Sequence, residues 1–126
     1  MSGINKVILV GHLGKDPEFK YLQDQAAVLS FPLATSEYII KNGIKTEQTE
    51  WHNIVMWRSL AEAGKKMLRK GKLVYIEGKC HTRSFEDKEG IKRYITEINA
   101  ETFTMLGRTS DFEKDEVLTN ESRSEK

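Results

Sequence analysis

The hydrophobic pattern of this chain leaves the strand period for a single helical stretch, and that interruption constrains the fold more than any single motif. Lys6 to Leu13 (KVILVGHL) and Ala27 to Ile40 are rich in β-branched and aromatic residues, as is a stretch that starts near Thr49; all three read as strands. Glu18 to Leu22, after Asp16-Pro17, continues as strand or irregular edge. Pro32 lacks an amide donor, which predicts a bulge or an edge inside the second long run. Asn42-Gly43, between Ile40-Lys41 and Ile44-Lys45, is a two-residue hairpin signal. The period then becomes helical. Ser59-Leu60-Ala61-Glu62 has the form of a capping box, Leu60, Ala63, Met67 and Leu68 recur at helical spacing, and Arg69-Lys70-Gly71 supplies a stop. Gly64 within that helix costs about 1 kcal/mol relative to Ala, so the helix needs packing against a sheet. Lys72 to Phe85 returns to strand, Asp87-Lys88-Glu89-Gly90 turns, and Ile91 to Leu106 is a last long strand.

Five strands with one short helix between the third and fourth predict an all-β chain, a five-stranded oligonucleotide-binding (OB-fold) barrel that uses closure to manage its edges. A five-stranded sandwich with a stray helix fits the order less well. Residues 1–108 are expected to form this domain. Residues 109–126 have few apolar side chains and no periodicity, which predicts a disordered tail. Charge divides at the same place: 17 basic against 13 acidic residues up to Arg108, and 3 against 6 after it. A mildly basic body with an acidic tail hides inside the overall net charge of +1.

Several function classes are disfavoured. The 126 residues leave room for one domain, the single Cys80 cannot form an internal disulfide, and no apolar run is long enough for a signal peptide or membrane helix, so a cytoplasmic protein is expected. His12, His52 and His81 lie on three different predicted strands without metal-ligand spacing, so neither metal nor cofactor is expected. No Walker-type loop, dinucleotide fingerprint or nucleophile elbow occurs, and an enzyme is not predicted.

The aromatic residues point to binding. Trp51 and Trp57 are separated by an even number of residues, which puts both on one side of a strand with Asn53 and Val55. His52, Ile54 and Met56 form the opposite row and are apolar enough to face a core. Burial of one ring is the ordinary expectation for a lone Trp. Two on one row, with Arg58 beside them, suit the stacking of single-strand bases, because every base has a π-face. Tyr38 before Lys41, Phe85 near Arg83, and Tyr94 beside Lys92 and Arg93 repeat the pairing of aromatic with cation, while Phe19, Tyr21 and Phe31 read better as core. Lys70, Lys72, Lys79, Arg83, Lys88, Lys92 and Arg93 would supply a phosphate-neutralising track. Lys65, Lys66 and Lys88 are as well explained by a solvated face.

Asn5-Lys6-Val7-Ile8-Leu9-Val10-Gly11, Leu13-Gly14-Lys15-Asp16-Pro17-Glu18, Leu33-Ala34-Thr35-Ser36-Glu37, Glu47-Gln48-Thr49-Glu50-Trp51-His52, Leu68-Arg69-Lys70-Gly71 and Val74-Tyr75-Ile76-Glu77-Gly78 resemble, in order, the bacterial-type single-stranded DNA-binding proteins. The resemblance runs from about Ile4 to Gly107. It implies a non-enzymatic homotetramer that wraps single-stranded DNA without marked sequence preference, in replication, recombination and repair. The family's stacking positions fall on Trp51, on Trp57 where many members have Phe, and on Phe85 where many have Trp. A further one falls on Ile39, so Tyr38 or simple apolar contact is expected to substitute. Arg69, Lys70 and Arg83 match basic positions of the DNA path, and His52 matches a position near the subunit interface. Members commonly end in an acidic tip closing on Pro-Phe, whereas this chain ends Glu121-Ser122-Arg123-Ser124-Glu125-Lys126. Replication and repair proteins recruited by such a tip are accordingly a weak expectation. Two rivals stay open: a dimeric primosomal-type or RNA-handling relative, and an OB-fold protein-interaction module without nucleic-acid binding.

Overall fold

The computed structural model describes residues 2–107; the expected domain end at 108 and the tail at 109–126 lie outside them. The elements are β1 (Val7–Leu13), β2 (Glu18–Tyr21), β3 (Ala27–Lys41), β4 (Ile44–Trp57), α1 (Arg58–Met67), β5 (Leu73–Glu86) and β6 (Lys92–Met105). The sheet runs β1-β5-β6-β4-β3-β2, and β1 also pairs with β3 through His12–Ala34 and Leu13–Leu33. That pairing closes β1, β3, β4, β5 and β6 into a five-stranded barrel with α1 between its third and fourth strands. The short β2 is an extra strand laid along β3.

Alternation along the strands fills the barrel. Leu29, Phe31 and Leu33 from β3, Ile54 and Met56 from β4, Val74 and Ile76 from β5, and Ile98 from β6 are buried together with Leu13 and Leu68. Pro32 causes no bulge: its register with Asn53 is regular, and its carbonyl accepts from the Gly14 amide at 3.0 Å. A strand residue's N and C=O point the same way, and on that side β3 leaves β2 after Ser30 and meets β1 at Leu33, so Pro32 occupies a local edge.

Two hairpin arms extend beyond the core. β4 begins at Ile44, earlier than expected, because Asn42 (φ 51°) and Gly43 (φ 78°) make a tight turn that pairs Lys41 with Ile44. At the second tip the Asp87 carboxylate accepts from the amides of Glu89 and Ile91 and from Arg93 Nε, each at 2.9 Å. Those bonds, the Arg93 one first, hold the Asp87 carboxyl below the usual carboxylate range.

The helix departs from its sequence signals at both ends. Trp57 is the N-cap residue with no side-chain cap bond, and the box at Ser59 does not form. Glu62 instead accepts from the Tyr21 hydroxyl at 3.1 Å, which also leaves Tyr21 exposed rather than in the core. Helix α1 ends at Met67, before the expected stop, and Gly71 serves the next turn by donating its amide to Leu13 O. The buried face is Ala61, Gly64 and Leu68, with Met67 41% exposed, so the apolar face lies around from the predicted one. Gly64 owes its place to close approach: a Cβ there would sit 2.7 Å from Leu29 Cδ2 and 3.0 Å from Met56 Sδ.

Candidate nucleic-acid interface

Register assembles the interface from one row on each of four strands. On β4 the row is Trp51, Asn53, Val55 and Trp57, facing Ala34, Pro32, Ser30 and Val28 of β3. On β5 it is Lys79, His81, Arg83 and Phe85, facing Asn99, Glu97, Ile95 and Arg93 of β6. The strands meet where Val55 pairs with Asn99. An open concavity of about 710 Å³ lies over that junction, with Trp57 on one wall and His81 and Arg83 on the other. This volume is within the rough 300–1,000 Å³ range of small-ligand pockets. Val55, expected to look outward with the tryptophans, is buried because it forms the floor.

Both tryptophans are exposed, Trp51 at 60% and Trp57 at 41%. Neither is a core ring. Trp51 lies over the open face of Gly14, where a Cβ would come within 2.5 Å of its Cζ3, and near Pro32. Phe85 is 44% exposed and stands directly across from Arg93 on the same face. Tyr38 shares that face further along the β3–β4 arm, with the Lys45 ammonium 4.5 Å from its ring centroid. The structure thus places Tyr38, Trp51, Trp57 and Phe85 on one continuous surface from arm to arm. Ile39 has the opposite parity.

The cations are less uniform. Arg58 is exposed at a sharp corner beside Trp57, with φ 56°. Left-handed backbone costs a residue with a Cβ about 1–2 kcal/mol, so packing holds this corner against local preference. Arg69 donates from Nη1 to Leu68 O at 2.7 Å and to Lys65 O at 3.2 Å, which satisfies the carbonyl end of α1. Lys70 is exposed with its amide bound to Asp16 Oδ1 at 2.8 Å, next to the Lys15–Asp16 rim of a second concavity. Lys92 has the opposite parity from Phe85 and Arg93: it faces Tyr94, 5.7 Å from the ring centroid, and is not brought to the aromatic face. Three of the proposed track residues are ion-paired, Lys79 with Glu101, Arg83 with Glu97 and Arg93 with Asp87. The Arg83 pair is a fork, Nε to Oε1 at 3.2 Å and Nη2 to Oε2 at 3.1 Å, and it raises the guanidinium above its ordinary range. His52 is half-buried on the face away from Trp51, its Nε2 2.9 Å from Thr35 Oγ1.

His81, Glu97, Asn99 and Gly14 belong to this surface and escaped the sequence reading. The Asp87–Gly90 turn could have found three of them, because fixing Phe85 opposite Arg93 also fixes His81 opposite Glu97 and Lys79 opposite Asn99. Among the described residues no group of three or more His, Cys, Asp or Glu is placed to hold a metal ion, and no helix is long and apolar enough to cross a membrane.

Comparison with known proteins gives the family and the fold. The model of the single-strand binding protein family matches residues 4–106. Single-stranded DNA-binding proteins of Neisseria meningitidis and of Bacteroides thetaiotaomicron are each 49% identical, over 105 and 106 residues, which is 82% of this chain. The matches span 60% and 66% of those relatives' lengths. Among solved structures, Plasmodium falciparum SSB in complex with ssDNA superposes with a TM-score of 0.79 at 31% identity, covering 85% of this chain and 98% of that one. A deletion mutant of the Thermus aquaticus single-stranded DNA binding protein gives 0.75 at 28% identity, covering 86% and 53%.

Proposed function

Because the chain belongs to the single-strand binding protein family, we propose that it coats and protects single-stranded DNA during replication, recombination and repair, without catalysing a reaction. The observation that carries this reading is the aromatic row: Trp57 at 41% exposure, Phe85 at 44%, Trp51 at 60% and Tyr38 at 63% present four rings on one open face. Duplex bases cannot offer their faces to such a row, whereas unpaired bases can, whatever their sequence.

The same reading makes the working unit a homotetramer on exposed strands of the cytoplasmic nucleoid. Ile8 and Val10 support assembly, since both project outward from β1 at 56% and 49% exposure. His52, half-buried beside Thr35, is the proposed interface residue. Recruitment of replication and repair proteins has no support among the described residues.

Titration with an unstructured oligonucleotide should quench Trp emission, and mass measurement should give four chains. Trp57→Ala should weaken binding by about 1–3 kcal/mol without changing that mass, while Trp57→Phe costs much less. Absence of quenching in the unmodified protein would leave the protein-interaction module as the better reading. Loss of the tetramer in Trp57→Ala would make Trp57 structural.

A further inference from the structure

We propose that Glu97 is a specificity-determining residue of the groove: it neutralises Arg83, so that a bare phosphate chain gains little there and retention depends on stacked bases. The inference rests on the single-strand reading above and sharpens it.

For a surface that would bind a polyanion, the charge is unexpected. The residues lining the two adjoining concavities include Lys15, Lys20 and Arg83 against Asp16, Glu18 and Glu97. Three cations meet three carboxylates, and the formal balance is zero. Glu97 is the innermost of these charges with a resolved ion pair: its side chain is 13% exposed, and that of Arg83 above it is 51% exposed. The fork uses two of the five guanidinium N–H groups. Arg83 therefore keeps donors for a ligand oxygen, but an arriving phosphate meets a compensated pair instead of a free cation.

Geometry separates this role from simple support of Arg83. Glu97 stands opposite His81 on the wall facing Trp57, and both line the concavity. Bases stacked against Trp57 would occupy that space and keep their phosphates at its rim. A chain with no bases could sink into it, and there the carboxylate repels it. Removing one charge about 6 Å from a phosphate in a water-like dielectric changes affinity by a factor of about three.

The test is E97Q, titrated with oligo(dT) and, separately, with inorganic polyphosphate as a competitor. Polyphosphate should bind about threefold more tightly or better, with a log-log salt slope steeper by about 0.7, the increment for one further phosphate on a single strand. Oligo(dT) should gain less, so its advantage over polyphosphate falls. The double variant R83Q/E97Q, which keeps a side-chain pair without charge, should return to the unmodified ratio; if E97Q does not fold, E97A removes the same charge and carries the test. An unchanged ratio in the folded Glu97 single variant overturns the proposal, as does loss of oligo(dT) affinity in that variant, which would make the pair an anchor. Quenching of the unmodified protein by oligo(dT) is the control: without it the functional reading fails, and with it an unchanged ratio defeats only the role of Glu97.

Discussion

Gly14→Ala should weaken single-strand binding by displacing Trp51, a residue far from it in sequence. A Cβ at position 14 would come within 2.5 Å of Trp51 Cζ3 and 2.7 Å of Cη2. Ordinary van der Waals contact is about 3.5–4.0 Å, so the indole must shift by roughly 1 Å or leave its seat. Gly14 donates its amide to Pro32 O, a bond that alanine keeps. The comparison with Trp51→Ala makes the argument quantitative. Truncating the ring removes a stacking platform worth about 1–3 kcal/mol per base. It also uncovers the shielded part of the side chain, about 100 Å², for a stability cost of at most about 2.5 kcal/mol. Gly14→Ala leaves the ring in place as a molecule and spoils only its position. Its affinity loss should therefore lie below that of Trp51→Ala, and the double variant should bind no worse than Trp51→Ala alone. Fluorescence or anisotropy titration at fixed salt, with denaturant unfolding of each variant, measures the cycle. Additive losses would refute the claim that Gly14 acts through Trp51, because only residues sharing one interaction give a coupling energy.

Four other outcomes follow from the same structure. Arg69→Ala should lower the unfolding midpoint with little change in salt slope, since its guanidinium serves the α1 carbonyls; Lys70→Ala should flatten the slope by up to about 0.7 with the midpoint nearly unchanged. Gly64→Ala, which improves helix propensity by about 1 kcal/mol, should nonetheless destabilise in a urea melt, because the new methyl meets Leu29 and Met56 at 3.0 Å or less and overpacking costs about 1–3 kcal/mol. Asp87 has its folded pKa depressed below 3.8, so its contribution is present above that value and lost as pH falls through the folded one; Asp87→Asn should be less stable than the unmodified protein near neutrality, and the difference should shrink in acid melts below about pH 4.

The element order was legible because each signal is local. Asn42-Gly43 makes its turn from its own two positive φ angles, and the even spacing of Trp51 and Trp57 survives as a shared exposed face. What failed depended on partners brought from elsewhere. Glu62 fits a capping box on paper, yet Tyr21 of β2 engages it. Lys92 and Arg93 are neighbours and must point to opposite faces of a strand, so both could not join one groove; only the register across the Asp87 turn decides for Arg93. Arg83 reads as a free cation until that register brings Glu97 beside it. Gly64 reads as a weak point in a helix until Leu29 and Met56 fill the space above it.

Among the described residues, the floor of the groove joins β4 to β6 through only two parallel pairs, Ile54 with Ile98 and Val55 with Asn99. These partners are more than forty positions apart in the chain, whereas β3–β4 and β5–β6 zip across tight turns. Chain-closure entropy then orders assembly, with the hairpins early and this seam late. Since Val55 and Asn99 meet only when the seam closes, a ligand seated over them holds the chain in its fully assembled form. At one hundred times its Kd, such a ligand adds about 2.7 kcal/mol to the free energy of unfolding. The groove is in that sense a latch, and the supply of unpaired strands sets how firmly it is shut; a melting temperature indifferent to oligonucleotide concentration would break the link.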